Sequence, residues 1–129
     1  MTPTSHPPRA ESFLPLRPVE LHVLLSLGGG ARHGYGIMRD AAARTGKEVI
    51  PDVGTLYRAL RRMVDQGLIE PVDASPDADG DDARRNYYGL TPLGRIVAAA
   101  EAQRLASLVE AARAGGFLGP LPGHGGGMR

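Results

Sequence analysis

Cysteine is absent from the sequence, which removes disulfides, thiolate nucleophiles and sulfur-ligated metal and fits a chain kept in a reducing, intracellular compartment. Tryptophan is absent too, and with it the best aromatic platform for stacking a flat ligand. No window approaches the roughly 18 consecutive apolar residues that a membrane span needs. The opening "MTPTSHPPRAESFLPLRP" is too rich in proline and too poor in continuous apolar residues for a signal peptide. A cytoplasmic protein with no membrane partner is therefore expected. The four histidines, His6, His22, His33 and His124, are scattered without metal-ligand spacing, and no phosphate-loop pattern occurs. Those absences argue against a metal site, a cofactor or an enzyme.

Lysine is almost missing. Of the 15 basic side chains all but Lys47 are arginine, which fits either a GC-rich genome or a preference for bidentate contacts. The formal net charge of +1 hides an uneven distribution. Asp73, Asp77, Asp79, Asp81 and Asp82 fall close together, while arginines cluster on either side of them. At 129 residues the chain has one domain's worth of length, enough to bury a modest core without staples.

Proline up to about Pro15 and the glycine-rich "GGFLGPLPGHGGGMR" from Gly115 predict flexible ends, 1–15 and 115–129, around a folded unit at 16–91 and a helix at 92–114. "PVELHVLLSLGGG" has Pro18 at a first-turn position, a dense apolar run from Val19 to Leu27 and a glycine stop, and predicts a buried first helix. "HGYGIMRDAAARTG" predicts a second helix ending at Gly46. A third follows in "GTLYRALRRMVDQGLIE", capped by Asp52 after the breaker Pro51. At about 100° per residue, Leu56, Leu60, Met63 and Gly67 share one arc, and Arg58, Arg61, Arg62 and Asp65 lie on the far side.

Gly67 ends that helix, and "LIEPV" predicts a short strand that Pro71 confines to an edge. After the acidic loop, "ARRNYYGL" has the tyrosines and length of a returning strand, so the two make a hairpin. Thr91 followed by Pro92 starts the last helix. At 1.5 Å per residue its 22 or so residues would span roughly 33 Å, too long for so small a domain to cover. Leu93, Ile96, Val97, Leu105, Leu108 and Val109 on its apolar side are accordingly expected to meet a second copy of the chain. The fold class is mainly α with a small β-hairpin: a winged helix-turn-helix followed by a long dimerisation helix.

In a winged helix the helix before the hairpin enters the DNA major groove, where Arg58, Arg61 and Arg62 can donate to phosphate oxygens or to guanine N7 and O6. Periodicity alone fits a solvated helix face equally well. The stretches "HGYGIMRD", "GTLYRALRRMVDQGLIE" and "ARRNYYGLTPLGR" bear on that choice. In order and spacing they resemble the PadR family of bacterial transcriptional regulators, whose sequences look like HGYE, GTLYxALxRLExxGLI and RRKYYxLTxxGR. The resemblance covers about Pro18 to Ala114. It implies a homodimeric, ligand- or stress-responsive repressor of the short form, with one C-terminal dimerisation helix, a double-stranded DNA operator as partner and a small-molecule effector of unknown identity. Gly36 replaces an acidic residue common in the family, and Gly89 a basic one, which takes a charge from the wing.

Carried over onto this chain, the resemblance implies DNA contacts from His33, Tyr35, Thr55, Tyr57, Arg58, Arg61, Arg62, Arg84 and Arg85. Thr55 is small enough to reach a phosphate or a base edge. His33 reads equally well as a turn residue satisfied by backbone. Tyr57 borders the core, and packing with its hydroxyl toward DNA is favoured. Tyr87 and Tyr88 point to opposite strand faces, so one is expected to pack and the other to be exposed. Arg84 and Arg85 fit phosphate contact or pairing with the acidic loop, which phosphate would repel. An effector pocket near Ala98, Ala99, Ala100 and Ala102 would be lined by the first and last helices. The same fold also serves as a protein-binding adaptor, for which outward basic positions on the third helix are not needed.

Overall fold

The structure, a computed structural model, describes residues 8–46, 52–74, 78–80 and 84–119. The expectations for the extreme ends, and for most of the acidic loop, fall outside those residues. The helices are α1 (Pro8–Ser12), α2 (Pro18–Leu27), α3 (Gly34–Thr45), α4 (Val53–Asp65) and α5 (Pro92–Ala114), with strands β1 (Arg32–His33), β2 (Ile69–Val72) and β3 (Tyr87–Leu90).

Local chemistry sets the helix ends. Glu20 Oε1 accepts the Arg17 N–H at 3.1 Å at the start of α2. His33 Nδ1 accepts the Gly36 N–H at 3.0 Å at the start of α3, and Asp52 accepts the Thr55 N–H at 2.8 Å at the start of α4. Each occupies one of the donors that a helix N-terminus leaves without an intrahelical partner. Gly46, at φ 66°, and Gly67, at φ 80°, provide the left-handed residues just beyond α3 and α4. The expected glycine stops and the Asp52 cap are thus present as read.

The sheet has the order β1-β3-β2 and is antiparallel throughout. A two-stranded hairpin was expected; the third strand pairs Arg32 with Tyr88 and His33 with Tyr87. Two residues carry no alternation that a sequence reading can detect. Pro71 lies on the edge strand β2, as its missing N–H requires.

Val23, Leu24, Leu27, Ile37, Leu56, Leu60, Met63, Leu68, Ile69 and Val97 form one buried cluster between the helices and the sheet. Ala10 of α1 belongs to it, and Phe13, Leu14 and Leu16 pack against it. The expectation of a flexible segment up to residue 15 is therefore corrected. From residue 8 onward the chain docks on α5, because its sparse apolar residues are the ones that fill the gap there. Thr91 anchors the other end of this packing. Its hydroxyl accepts the Gly94 N–H at 2.9 Å and lies 3.1 Å from the Leu68 carbonyl oxygen. The backbone of Gly94 approaches so closely that a Cβ there would overlap the same oxygen.

The arrangement is a winged helix: α2, α3 and α4 form the helical body, and β2 and β3 form the wing. Helix α5 leaves it lengthwise. Val97 is fully buried and Leu93 half-buried against the core, so the expectation that both face a second chain is corrected for these two. The first turns of α5 lie across α2 and β3, and their apolar side chains are taken up inside the protomer. Beyond Arg104 the situation reverses. Leu108 and Val109 are exposed, as is Ile96 on the outer side of the first half, and Leu105 is half-buried.

Candidate nucleic-acid interface

Helix α4 is amphipathic in the simplest sense. Leu56, Leu60 and Met63 are fully buried, and each such side chain contributes roughly 1.5 to 3 kcal/mol of burial. Arg58 and Arg61 stand on the opposite, exposed face. At its first turn Asp52 accepts both the Thr55 N–H and, at 2.9 Å, the Thr55 hydroxyl. Those two hydrogen bonds, backbone first, hold the Asp52 carboxyl below its usual range, and the Arg58 charge adds to them. The Thr55 hydroxyl in turn accepts from Arg58 Nη2 at 3.3 Å. Thr55 thus orders Arg58 over the start of α4 and is itself half-buried.

Arg62 departs from the expectation. Its Nε and Nη2 lie 3.2 and 3.1 Å from Glu20 Oε2 on α2. The other oxygen of that carboxylate caps α2. Arg62 thus links α4 to α2, whereas Arg58 and Arg61 stand exposed. Helical periodicity groups it with Arg58, four residues earlier, but Arg62 comes where α4 runs in beside α2.

Tyr57 bridges the first turns of α4 and α3. A Cβ on Gly34 would lie 2.6 Å from the Tyr57 hydroxyl, so only glycine leaves room for the ring to lie across the start of α3. On its other side Tyr57 lines an open cleft of about 240 Å³ with Arg61, Val64, Asp65, Pro71 and Tyr88. Tyr88 is half-buried there. Burial first, then the nearby Tyr57, pushes its hydroxyl pKa up. Of the tyrosine pair, Tyr87 is the buried one; Tyr88 packs as well, which corrects the expectation of an exposed partner.

His33 is 6% exposed. Besides capping α3 it meets the Tyr87 ring edge-on at 5.1 Å and stacks with Tyr35 at 6.3 Å. The turn-residue reading is the one that matches, and a direct contact from a buried imidazole is not. Tyr35 is 51% exposed, and the guanidinium carbons of Arg39 and Arg85 lie 5.1 and 5.3 Å from its ring centre. Arg84 and Arg85 are exposed at the base of the wing. Arg39 was missed in the sequence; its signal was the spacing of four from Tyr35, which places both on one face of α3.

Several other arginines have partners within the chain. Arg32 pairs with Asp40 at 2.9 Å, Arg104 with Glu101 at 2.6 Å, and Arg44 reaches Ser26 and the ring and carbonyl of His22. Burial first, and then the Arg44 charge, lowers the His22 pKa. Among the described residues no cluster of histidine, aspartate and glutamate suited to a metal ion occurs, and no helix is long and apolar enough to cross a membrane.

A helical body, a short sheet with a wing, and an arginine-bearing helix in front of it define the class, a winged-helix regulator. The model of the PadR-like family of transcriptional regulators matches residues 23–100, and the chain belongs to that family. It is similar to a solved PadR family transcription regulator from hypervirulent Clostridium difficile R20291, at 27% identity and a TM-score of 0.62, over 78% of this chain and 98% of that one. RosR of H. salinarum is 25% identical with a TM-score of 0.54, over 80% and 98% of the two chains. BpsR of Bordetella bronchiseptica, whose DNA binding is regulated by 6-hydroxynicotinic acid, shares the fold at 20% identity and a TM-score of 0.55, over 88% and 71%. Comparison with curated proteins finds no match.

Proposed function

We propose that this chain is a sequence-specific regulator, working in the cytoplasm, that binds a pseudo-palindromic duplex operator as a homodimer and represses transcription in response to a ligand or stress. The observation that carries the reading is the outer face of α4, where Arg58 and Arg61 stand exposed and Arg61 shares a cleft with Tyr57, beside the Tyr35 ring on which Arg39 and Arg85 lie. Arg58, held by Thr55 at the start of α4, reads a base edge in the major groove. Arg61 and the wing arginines Arg84 and Arg85 grip phosphate. The exposed Ile96, Leu108 and Val109, with the half-buried Leu105, face the second copy. This sets the recognition helices about one helical turn of DNA, roughly 34 to 36 Å, apart. An effector acting between protomers is the finer part of the reading. BpsR supports it as a protein of the same fold whose DNA binding responds to a small aromatic acid.

The test is footprinting upstream of the protein's own gene, followed by titration of the protected duplex and a scrambled one. Arg58→Ala should cost about 1 to 3 kcal/mol on the operator and relax preference at one position. Arg84→Ala should weaken both duplexes alike, and Arg62→Ala should leave base preference intact. Folded protein with no salt-dependent affinity for either duplex would sink the reading in favour of a protein-binding adaptor.

A further inference from the structure

Tyr88 carries a polar group that the fold leaves unused. It lies on β3, the central strand, opposite Arg32 of β1 on one side and Pro71 of β2 on the other, and its ring packs against the core. Strands on both sides fix its place. It lines the cleft of about 240 Å³ between the sheet and α4, together with Arg61, Tyr57 and Pro71. Among the described residues neither the Tyr88 hydroxyl nor the Arg61 guanidinium has a hydrogen-bond or ion-pair partner. Every buried side-chain nitrogen or oxygen among them does have one, so the Tyr88 hydroxyl is open to solvent. Burial first, and then Tyr57, raise its pKa, and the Arg61 charge draws it back. At neutral pH it is therefore a protonated donor beside a guanidinium, a group that has donors only. Asp65, one turn on from Arg61 along α4, borders the same cleft without pairing with it, and its charge keeps an anion on the Arg61 and Tyr88 side.

We propose that Tyr88 is a DNA-contact residue: its hydroxyl and the Arg61 guanidinium donate to the same backbone phosphate, seated in the cleft between α4 and the sheet. The assignment rests on the DNA-binding reading and adds to it a residue outside the motif-derived set and a phosphate shared by two elements. Both groups present donors, and a phosphodiester oxygen only accepts. The cleft has the space of roughly eight waters at about 30 Å³ each, enough for one phosphodiester group and the sugar beside it, for which Pro71 and Val64 supply apolar surface. The Tyr88 ring is already held by packing, so little side-chain freedom is lost when DNA arrives. A phosphate held from α4 alone would let that helix rock in the groove. Held from β3 as well, it fixes the depth of α4 against the wing.

The experiment titrates the full-length chain with the footprinted operator and a scrambled duplex over several salt concentrations, as wild type, Tyr88→Phe, Arg61→Ala and the double variant. Tyr88→Phe keeps the packed ring and removes one oxygen. It should weaken both duplexes alike by about tenfold, the scale of one hydrogen bond to a charged group, with the salt slope and the unfolding temperature unchanged. Arg61→Ala should lower the slope by about one unit. The double variant should lose less than the product of the two losses, because both donors serve one group. Operator phosphates are then replaced one at a time by neutral methylphosphonate. One position in each half-site should weaken wild type strongly and both variants much less. Tyr88→Phe binding like wild type overturns the proposal, and so does mapping of the two variants to different phosphates. Arg58→Ala is the separate control. If it relaxes operator preference while Tyr88→Phe binds like wild type, only this inference fails. If wild type binds neither duplex, the DNA reading fails with it.

Discussion

Glu101→Gln tests what ties the N-terminal segment to the long helix. Glu101 is 1% exposed. Its carboxylate accepts the Leu16 N–H at 3.0 Å and two Arg104 donors at 2.6 and 3.0 Å. Glutamine has the same shape but only one acceptor oxygen, so its NH2 must face one of these donors. Hydrogen bonds to a charged group contribute about 1.5 to 3 kcal/mol, against about 1 for neutral ones. The Arg104 side chain is 37% exposed, so the ion pair itself is screened and adds at most about 1 kcal/mol. Relief from holding a charge in the core offsets part of the loss. The net expectation is a destabilisation of about 2 kcal/mol at neutral pH, or roughly 6 to 10 °C in melting temperature for a chain of this size.

The pH dependence gives the sharper criterion. The Arg104 hydrogen bond, followed by the Leu16 N–H and the Arg104 charge, outweighs burial and holds the Glu101 carboxyl below its usual range. A depressed value in the folded state means stabilisation that is present above the unfolded value, near 4.3, and lost as pH falls through the folded one. Wild type should thus lose this contribution in acid, while Glu101→Gln has no proton to take up there. Thermal unfolding followed by circular dichroism at neutral pH and below pH 4 should show the gap between the two proteins closing. Other carboxylates titrate in both and cancel. A gap equally wide at both pH values would refute the reasoning, since the charge would then not be its source.

Two glycines should respond in opposite ways to alanine. Gly94→Ala meets the Leu68 carbonyl, a backbone group that cannot swing aside, and should cost about 3 kcal/mol in a denaturant titration. Gly34→Ala meets only the far end of the Tyr57 ring; the ring should turn outward, leaving the melting temperature nearly unchanged while DNA affinity falls. Leu108→Glu combined with Val109→Glu places charges on the exposed part of α5 and should give a folded monomer by sedimentation, with binding of the full operator weakened through lost avidity.

Much of the fold was legible because its boundaries are marked by residues whose chemistry is local. Pro18, Asp52, Thr91, Gly46 and Gly67 act within a turn of their own position, so a reading along the chain finds them. The buried face of α4 followed from its period in the same way. What escaped was decided by neighbours distant in sequence. Arg62 meets Glu20 across 42 positions, and nothing on a helical wheel distinguishes it from Arg58. Val97 lies on the same apolar side as Leu108 in projection, yet one is fully buried and the other exposed, because the domain ends partway along α5. Strand β1 owes its existence to Tyr87 and Tyr88 opposite it. The candidate site followed the same division. Arg58 and Tyr35 were evident from their motifs, whereas the convergence of Arg39 and Arg85 on one ring depends on how the wing folds back.

The bond from Leu16 to Glu101 spans 85 positions, and this orders events during synthesis. The segment around Leu16 is made well before α5 and cannot complete its docking until α5 has followed it. At about 5 to 20 residues per second, Ala10, Phe13 and Leu14 wait roughly 4 to 17 seconds with their apolar surface in water. In that interval the nascent chain offers a short hydrophobic stretch flanked by prolines and arginines, a suitable ligand for a ribosome-associated chaperone. Slowing translation between Tyr88 and Arg104 would lengthen the exposure without changing a single residue of the finished protein.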